Sequence, residues 1–167
     1  LAEVGGAIAF NGKALQVGGA AAPRKVLLVV ADDDFYYQEY REPHDALVAA
    51  GLTVEVASVR GATCTPHENS WDGHPPADSV AIEADLRLAD ADPEAYEAIY
   101  FAGGWGSSVY QYATPYRYER TWPSVSYTMY NGDVATKATA NRLINAFIEQ
   151  DKIVGGICHG TAVLAWS

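Results

Sequence analysis

The strongest constraint on the fold is a short apolar run that passes into a helix across a cysteine framed by glycines. Lys152-Ile153-Val154-Gly155-Gly156-Ile157 has the composition of a strand, and Thr161-Ala162-Val163-Leu164-Ala165-Trp166 continues as a helix. Gly155-Gly156-Ile157-Cys158-His159-Gly160 must therefore carry the chain from one to the other in a single sharp turn. Such a turn needs small neighbours and lifts the residue at its apex out of the carboxyl edge of a sheet. A cysteine alone is more often a small buried hydrophobe. The glycines on both sides of Cys158 favour a presented nucleophile instead, because a helix N-terminus favours a thiolate and its backbone N–H groups suit an oxyanion.

The rest of the chain supplies the sheet that this turn requires. Lys25-Val26-Leu27-Leu28-Val29-Val30 is a nearly unbroken apolar run of the kind buried on both faces of a parallel sheet. A helical pattern follows from Tyr37 to Ala50, Gly51 stands where a C-cap would, and Thr53 to Ser58 reads as the next strand, giving a βαβ unit. Tyr96 to Phe101 is a further short strand ending in Ala102-Gly103-Gly104-Trp105-Gly106, whose glycines permit a tight turn. Lys137 to Gln150 places Leu143, Ile144, Phe147 and Ile148 at helical spacing and leads into the strand before Cys158. Residues 1–22 read as an N-terminal hairpin turning at Asn11-Gly12, followed by a small-residue linker, and residues 23–167 as the α/β domain. Arg60 to Ser79, rich in Pro, His, Asp and Gly, reads as a long loop. Tyr110 to Tyr130 holds six tyrosines with Trp122 and two prolines, an aromatic insertion over the domain or at an interface.

Composition narrows the function. With 167 residues, 49% of them hydrophobic, the chain can bury a core as one globular domain. A net charge of -10 excludes a nucleic-acid partner, which phosphate chemistry would require to be basic. The longest apolar run, Val26 to Ala31, is strand-sized, so no membrane span is expected. Cys64 and Cys158 are too few for a disulfide scaffold, although a single bridge stays open. Cys64, His67 and His74 lack the spacing of a zinc site and read as plain loop residues, so no metal is expected. Gly103-Gly104-Trp105-Gly106 lacks the Lys-Ser/Thr ending of a phosphate loop, no dinucleotide fingerprint is present, and no cofactor is indicated. A start at Leu1 rather than Met suggests that a leader, propeptide or tag has been removed, which leaves the compartment open.

Three separated features, Ala31 to Glu39, Phe101-Ala102-Gly103-Gly104 and Gly156-Ile157-Cys158-His159-Gly160, together resemble the ThiJ/PfpI superfamily of the class I glutamine amidotransferase-like fold, over roughly Lys25 to Trp166. The resemblance implies a three-layer α/β sandwich around a mostly parallel, flavodoxin-like sheet with a nucleophile elbow. It implies that Glu39, early in the first helix, hydrogen-bonds the cysteine in protonated form, with Glu42 one turn on as competitor. It also implies an oxyanion site from the backbone at Gly104 and Trp105 with the amide of His159. Trp105 is larger than the residues common at its position, which bears on pocket shape. His159 is a candidate general base whose acid partner, in this family, can come from a neighbouring subunit.

The expected function is a cysteine-dependent hydrolase or lyase acting on small carbonyl or related electrophilic substrates, of glyoxalase, deglycase or hydratase type. A cysteine peptidase, and a redox sensor or holding chaperone that uses the same thiol, are the alternatives. Members of the resembling family continue well past the elbow, whereas nine residues follow Cys158 here. The expectation is therefore a second polypeptide that completes the domain, or a chain cut after Ser167, within a homo-oligomer.

Overall fold

The computed structural model describes residues 9–10, 13–14, 24–68, 70, 81–112 and 131–166. Strands β1 (Ala9–Phe10) and β2 (Lys13–Ala14) pair antiparallel on either side of Asn11-Gly12. Strand β3 (Lys25–Val29) follows, then the short β4 (Asp33–Phe35), helix α1 (Tyr37–Ala49) and strand β5 (Thr53–Ser58). The chain continues through β6 (Thr63–Pro66), β7 (Ile82–Glu83), β8 (Leu86–Arg87) and β9 (Ala98–Phe101). A 3-10 turn over Trp105–Tyr110 leads towards α2 (Val134–Glu149), and β10 (Ile153–Gly156) delivers the chain to α3 (His159–Ala165).

Five strands form the main sheet in the order β10-β9-β3-β5-β8, all parallel. Alternation along β3 explains the layers, because successive side chains in a strand point to opposite faces. Leu27 and Val29 pack with Ala140, Leu143, Ile144 and Phe147 of α2 and Val163 of α3. Leu28 and Val30 pack on the other face with Phe35, Tyr37 and Tyr40 at the start of α1. The result is the α/β three-layer arrangement, with α1 on one face and α2 and α3 on the other among the described residues.

The segment read as a loop from Arg60 to Ser79 carries a strand in its first part. Strand β6 pairs parallel with β4 and antiparallel with β7 in a second, three-stranded sheet. Its residues alternate between exposed and buried, with Cys64 and Pro66 inward, which is a half-buried strand pattern. Residues 69 and 71–79 of that segment, together with residues 113–130 of the aromatic insertion and the linker before Arg24, lie outside the described residues.

The order of the main sheet positions the site. From β3 the chain proceeds outward to β5 and β8, then returns to the other side of β3 for β9 and β10. Ligands of open α/β sheets bind beyond the carboxyl ends of the strands where the order reverses in this way. Here the carboxyl ends of β3 and β9 lead to Tyr36 and Gly103, and their backbones meet: the Tyr36 N–H donates to the Gly103 carbonyl at 3.0 Å.

Candidate active site

Cys158 sits at the apex of the β10-to-α3 turn with φ 52° and ψ -124°, a left-handed backbone that a non-glycine residue adopts at a cost. Its surroundings over-determine that conformation. The Ile157 N–H donates to the Phe101 carbonyl at 3.2 Å, tying the turn to the end of β9. A Cβ on Gly160 would overlap the same carbonyl oxygen, so glycine is what lets α3 start directly above β9. The cysteine itself is exposed and free, while Cys64 is free and buried in β6. The two cysteines therefore form no bridge.

Glu39 lies in the first turn of α1, on its half-buried side, and Glu42 lies on an exposed part of the same helix. The carboxyl of Glu39 reaches under Cys158. A Cβ on Gly103 would overlap Glu39 Oε2 and come within 2.7 Å of Cys158 Cβ, so the two side chains meet over a residue that has none. Burial raises the Glu39 pKa above the ordinary carboxylate value, more than contacts to the Cys158 side chain and the Gly103 backbone lower it. Oε2 is buried with no partner at hydrogen-bond geometry. The direction of that shift favours the neutral acid, which has a proton to donate. Tyr100 of β9 packs on the same side of the sheet, and burial together with the Glu39 charge pushes its hydroxyl up to about 12.

His159 is the first residue of α3 and turns Nδ1 towards Cys158 Sγ at 3.5 Å. Its ring lies against the indole of Trp105, with centroids 4.8 Å apart and planes inclined by 48°. Burial lowers its pKa below the ordinary imidazole value, which favours the neutral ring. Gly104 and Trp105 begin the 3-10 turn beside the elbow, with Gly104 at φ 97° and packed against the backbone of Asp34, Phe35 and Tyr36. All five residues singled out from the sequence thus sit together at the carboxyl edge of the central strands. Sequence reasoning did not find Tyr100 or the packing role of Gly103. The signal for Tyr100 was its alternation with Ile99 and Phe101, which sends it to the face that α1 covers.

Among the described residues no group of three His, Cys, Asp or Glu side chains converges to hold a metal ion, and no helix is long and apolar enough to cross a membrane.

No family model matches the chain, and no curated protein matches it. Solved structures do. A ThiJ/PfpI domain protein from Brachyspira murdochii superposes with a TM-score of 0.58 at 19% identity, over 86% of this chain and 63% of that one. Drosophila melanogaster DJ-1beta superposes with a TM-score of 0.58 at 20% identity, over 86% of this chain and 60% of that one. A putative protease I from Bacteroides thetaiotaomicron gives a TM-score of 0.58 at 14% identity, over 84% of this chain and 66% of that one. This chain thus spans about two thirds or less of the length of each. The fold of the chain is that of the ThiJ/PfpI and DJ-1 superfamily.

Proposed function

We propose that the protein is a cysteine-dependent hydrolase or lyase of ThiJ/PfpI type, acting on small carbonyl or related electrophilic substrates. The observation that carries this reading is the exposed thiol of Cys158, held in a left-handed backbone directly over the buried carboxyl of Glu39. A strained, exposed side chain above a buried carboxyl oxygen is a costly arrangement with no evident structural use. In the proposed step Cys158 Sγ adds to the electrophilic carbon, a C–S bond forms, and the carbonyl π pair moves onto oxygen. The N–H groups of Gly104, Trp105 and His159 receive that oxyanion. Glu39 hydrogen-bonds the sulfur, and His159 takes the thiol proton as sulfur attacks. For a substrate with a leaving group, the oxyanion collapses, the leaving group departs with the proton from His159, and water then attacks the thioester carbon, so that the C–S bond breaks and the sulfur regains a proton. A further segment that completes the domain belongs to the same proposal, since the chain spans about two thirds or less of the length of the structures it resembles.

The first test is intact-mass analysis of alkylation by iodoacetamide at pH 6, where an ordinary thiol of pKa about 8.5 reacts slowly. Rapid addition of one adduct, lost in Cys158→Ser, is expected, because Cys64 is buried. Turnover of 2-oxoaldehydes by the wild-type protein and not by Cys158→Ser would then define the activity. Labelling of Cys158 without turnover of any carbonyl or peptide substrate would favour redox sensing, and slow labelling would overturn the nucleophile assignment.

A further inference from the structure

We propose that the indole of Trp105 is a positioning residue for His159: it holds the imidazole so that Nδ1 faces Cys158 Sγ, the orienting task that a carboxylate performs in a nucleophile-His-acid triad. The proposal deepens the reading of Cys158 as nucleophile and rests on it.

A histidine that follows its nucleophile on a tight turn is free to swing into solvent unless something outside its own helix stops it. Among the described residues the His159 ring makes a polar contact with Cys158 Sγ at 3.5 Å and a ring contact with Trp105 at a centroid distance of 4.8 Å. Among the described residues no carboxylate hydrogen-bonds or ion-pairs with the ring, and it is an aromatic face that lies against it. An aromatic face can do this only if it is itself fixed, and the turn carrying Trp105 is pinned along its length. Gly104 is wedged within the backbone of Asp34 to Tyr36, where a Cβ would lie 2.7 Å from the Phe35 carbonyl carbon. Gly106 sits against the Asp33 carbonyl, and a Cβ there would come within 2.8 Å of Ala31 Cβ. Ser107 Oγ donates to the Ala102 carbonyl at 2.7 Å, and Tyr110 donates its hydroxyl to the Val30 carbonyl at 2.7 Å, both buried. The backbone at Trp105 therefore cannot shift without moving the ends of β3 and β9. The indole also excludes water from one face of the imidazole, in keeping with the burial that favours the neutral ring. The titratable groups on the elements packed around His159 are Cys158 on the elbow, Glu39 behind it on α1, Tyr100 on β9 and Tyr110 on the turn.

The test is a double-mutant cycle on the full chain, with two independent readouts. Iodoacetamide alkylation of Cys158 is followed by intact mass from pH 6 to pH 9 in the wild type, Trp105→Ala, His159→Ala and the double variant. The His159 titration midpoint is read by NMR, the signal being assigned by its loss in His159→Ala. Trp105→Ala is expected to slow alkylation about tenfold and to raise the His159 midpoint towards the ordinary imidazole value near 6.5. In the His159→Ala background the same substitution should add nothing. Trp105→Phe, which keeps an aromatic face, should restore both readouts to near wild type, and Trp105→Leu replaces Trp105→Ala if the latter does not fold. Independent, multiplying effects of the two substitutions, or a His159 midpoint that does not move, would overturn the proposal. Failure of the nucleophile reading is seen separately, as slow alkylation of the wild type, because the NMR midpoint reports on Trp105 and His159 without any reaction at Cys158.

Discussion

Glu39 is a carboxyl placed where charge is expensive, and the consequence can be measured at two levels. Its folded pKa lies above the unfolded value, so between those two values the folded protein binds more protons than the unfolded chain. Stability attached to Glu39 is therefore full below pH about 4.5 and declines as pH rises from there through its raised folded value. Glu39→Gln removes the ionisation and keeps the shape. We expect it to raise the melting temperature at pH 8 relative to wild type, with a smaller gain at pH 5, while slowing alkylation of Cys158. A melting temperature for Glu39→Gln that is lower than wild type at pH 8 would show that the carboxyl is stabilising and that its burial is compensated elsewhere. The chemistry-bearing residues were legible in the sequence because the elbow is a contiguous signal: Gly156, Cys158 and Gly160 announce a turn that little else explains. Glu39 was legible only through the resemblance, since a glutamate in the first turn of a helix is ordinarily solvated. The meeting of Glu39 with Cys158 across Gly103 was not legible, because it joins residues from three elements far apart in the chain.

At the scale of elements, caps decide where helices stop. Helix α1 ends in a Schellman arrangement: the Gly51 N–H donates to the Val48 carbonyl at 2.9 Å and the Leu52 N–H to the Leu47 carbonyl at 3.1 Å, with Gly51 at φ 83°. No atom lies within 4 Å of where a Gly51 Cβ would sit, so substitution there tests backbone strain alone. Gly51→Ala should cost about 1 kcal/mol, seen as a fall of about 3 °C in melting temperature, with Cys158 alkylation unchanged. A loss above about 3 kcal/mol would mean that the α1–β5 corner is coupled to the core more tightly than its open surroundings indicate. Helix α2 begins at Val134, ahead of the apolar spacing that starts near Lys137, because Asp133 caps it by accepting from the Thr136 N–H at 2.7 Å. That aspartate was available in the sequence as the boundary signal. Strands β6, β7 and β8 escaped notice for a different reason: two to four residues carry too little periodicity to stand out from the polar segment around them.

At the scale of the whole molecule, the strands were legible and their order was not. Apolar runs mark β3, β5, β9 and β10 one by one, but the return across β3 that creates the site is a long-range choice that no local pattern encodes. The order has a dynamic consequence. Strand β3 has a neighbour on each side and packed layers on both faces, whereas β10 and β8 each pair with one strand of the described sheet. In a parallel sheet alternate amides point to opposite neighbours, so half of those on an edge strand have no ladder partner. Hydrogen exchange should accordingly be slowest at Leu27 to Val29 and graded outward, with the outward-facing amides of β10 exchanging far faster than those of β3. The pattern at β10 also bears on the expected completing segment. Uniformly slow exchange along β10 would mean that its outer edge is hydrogen-bonded in solution by a further strand outside the described sheet. Alternating fast and slow amides would mean that the edge stays open, and that the elbow stands next to an unpaired strand.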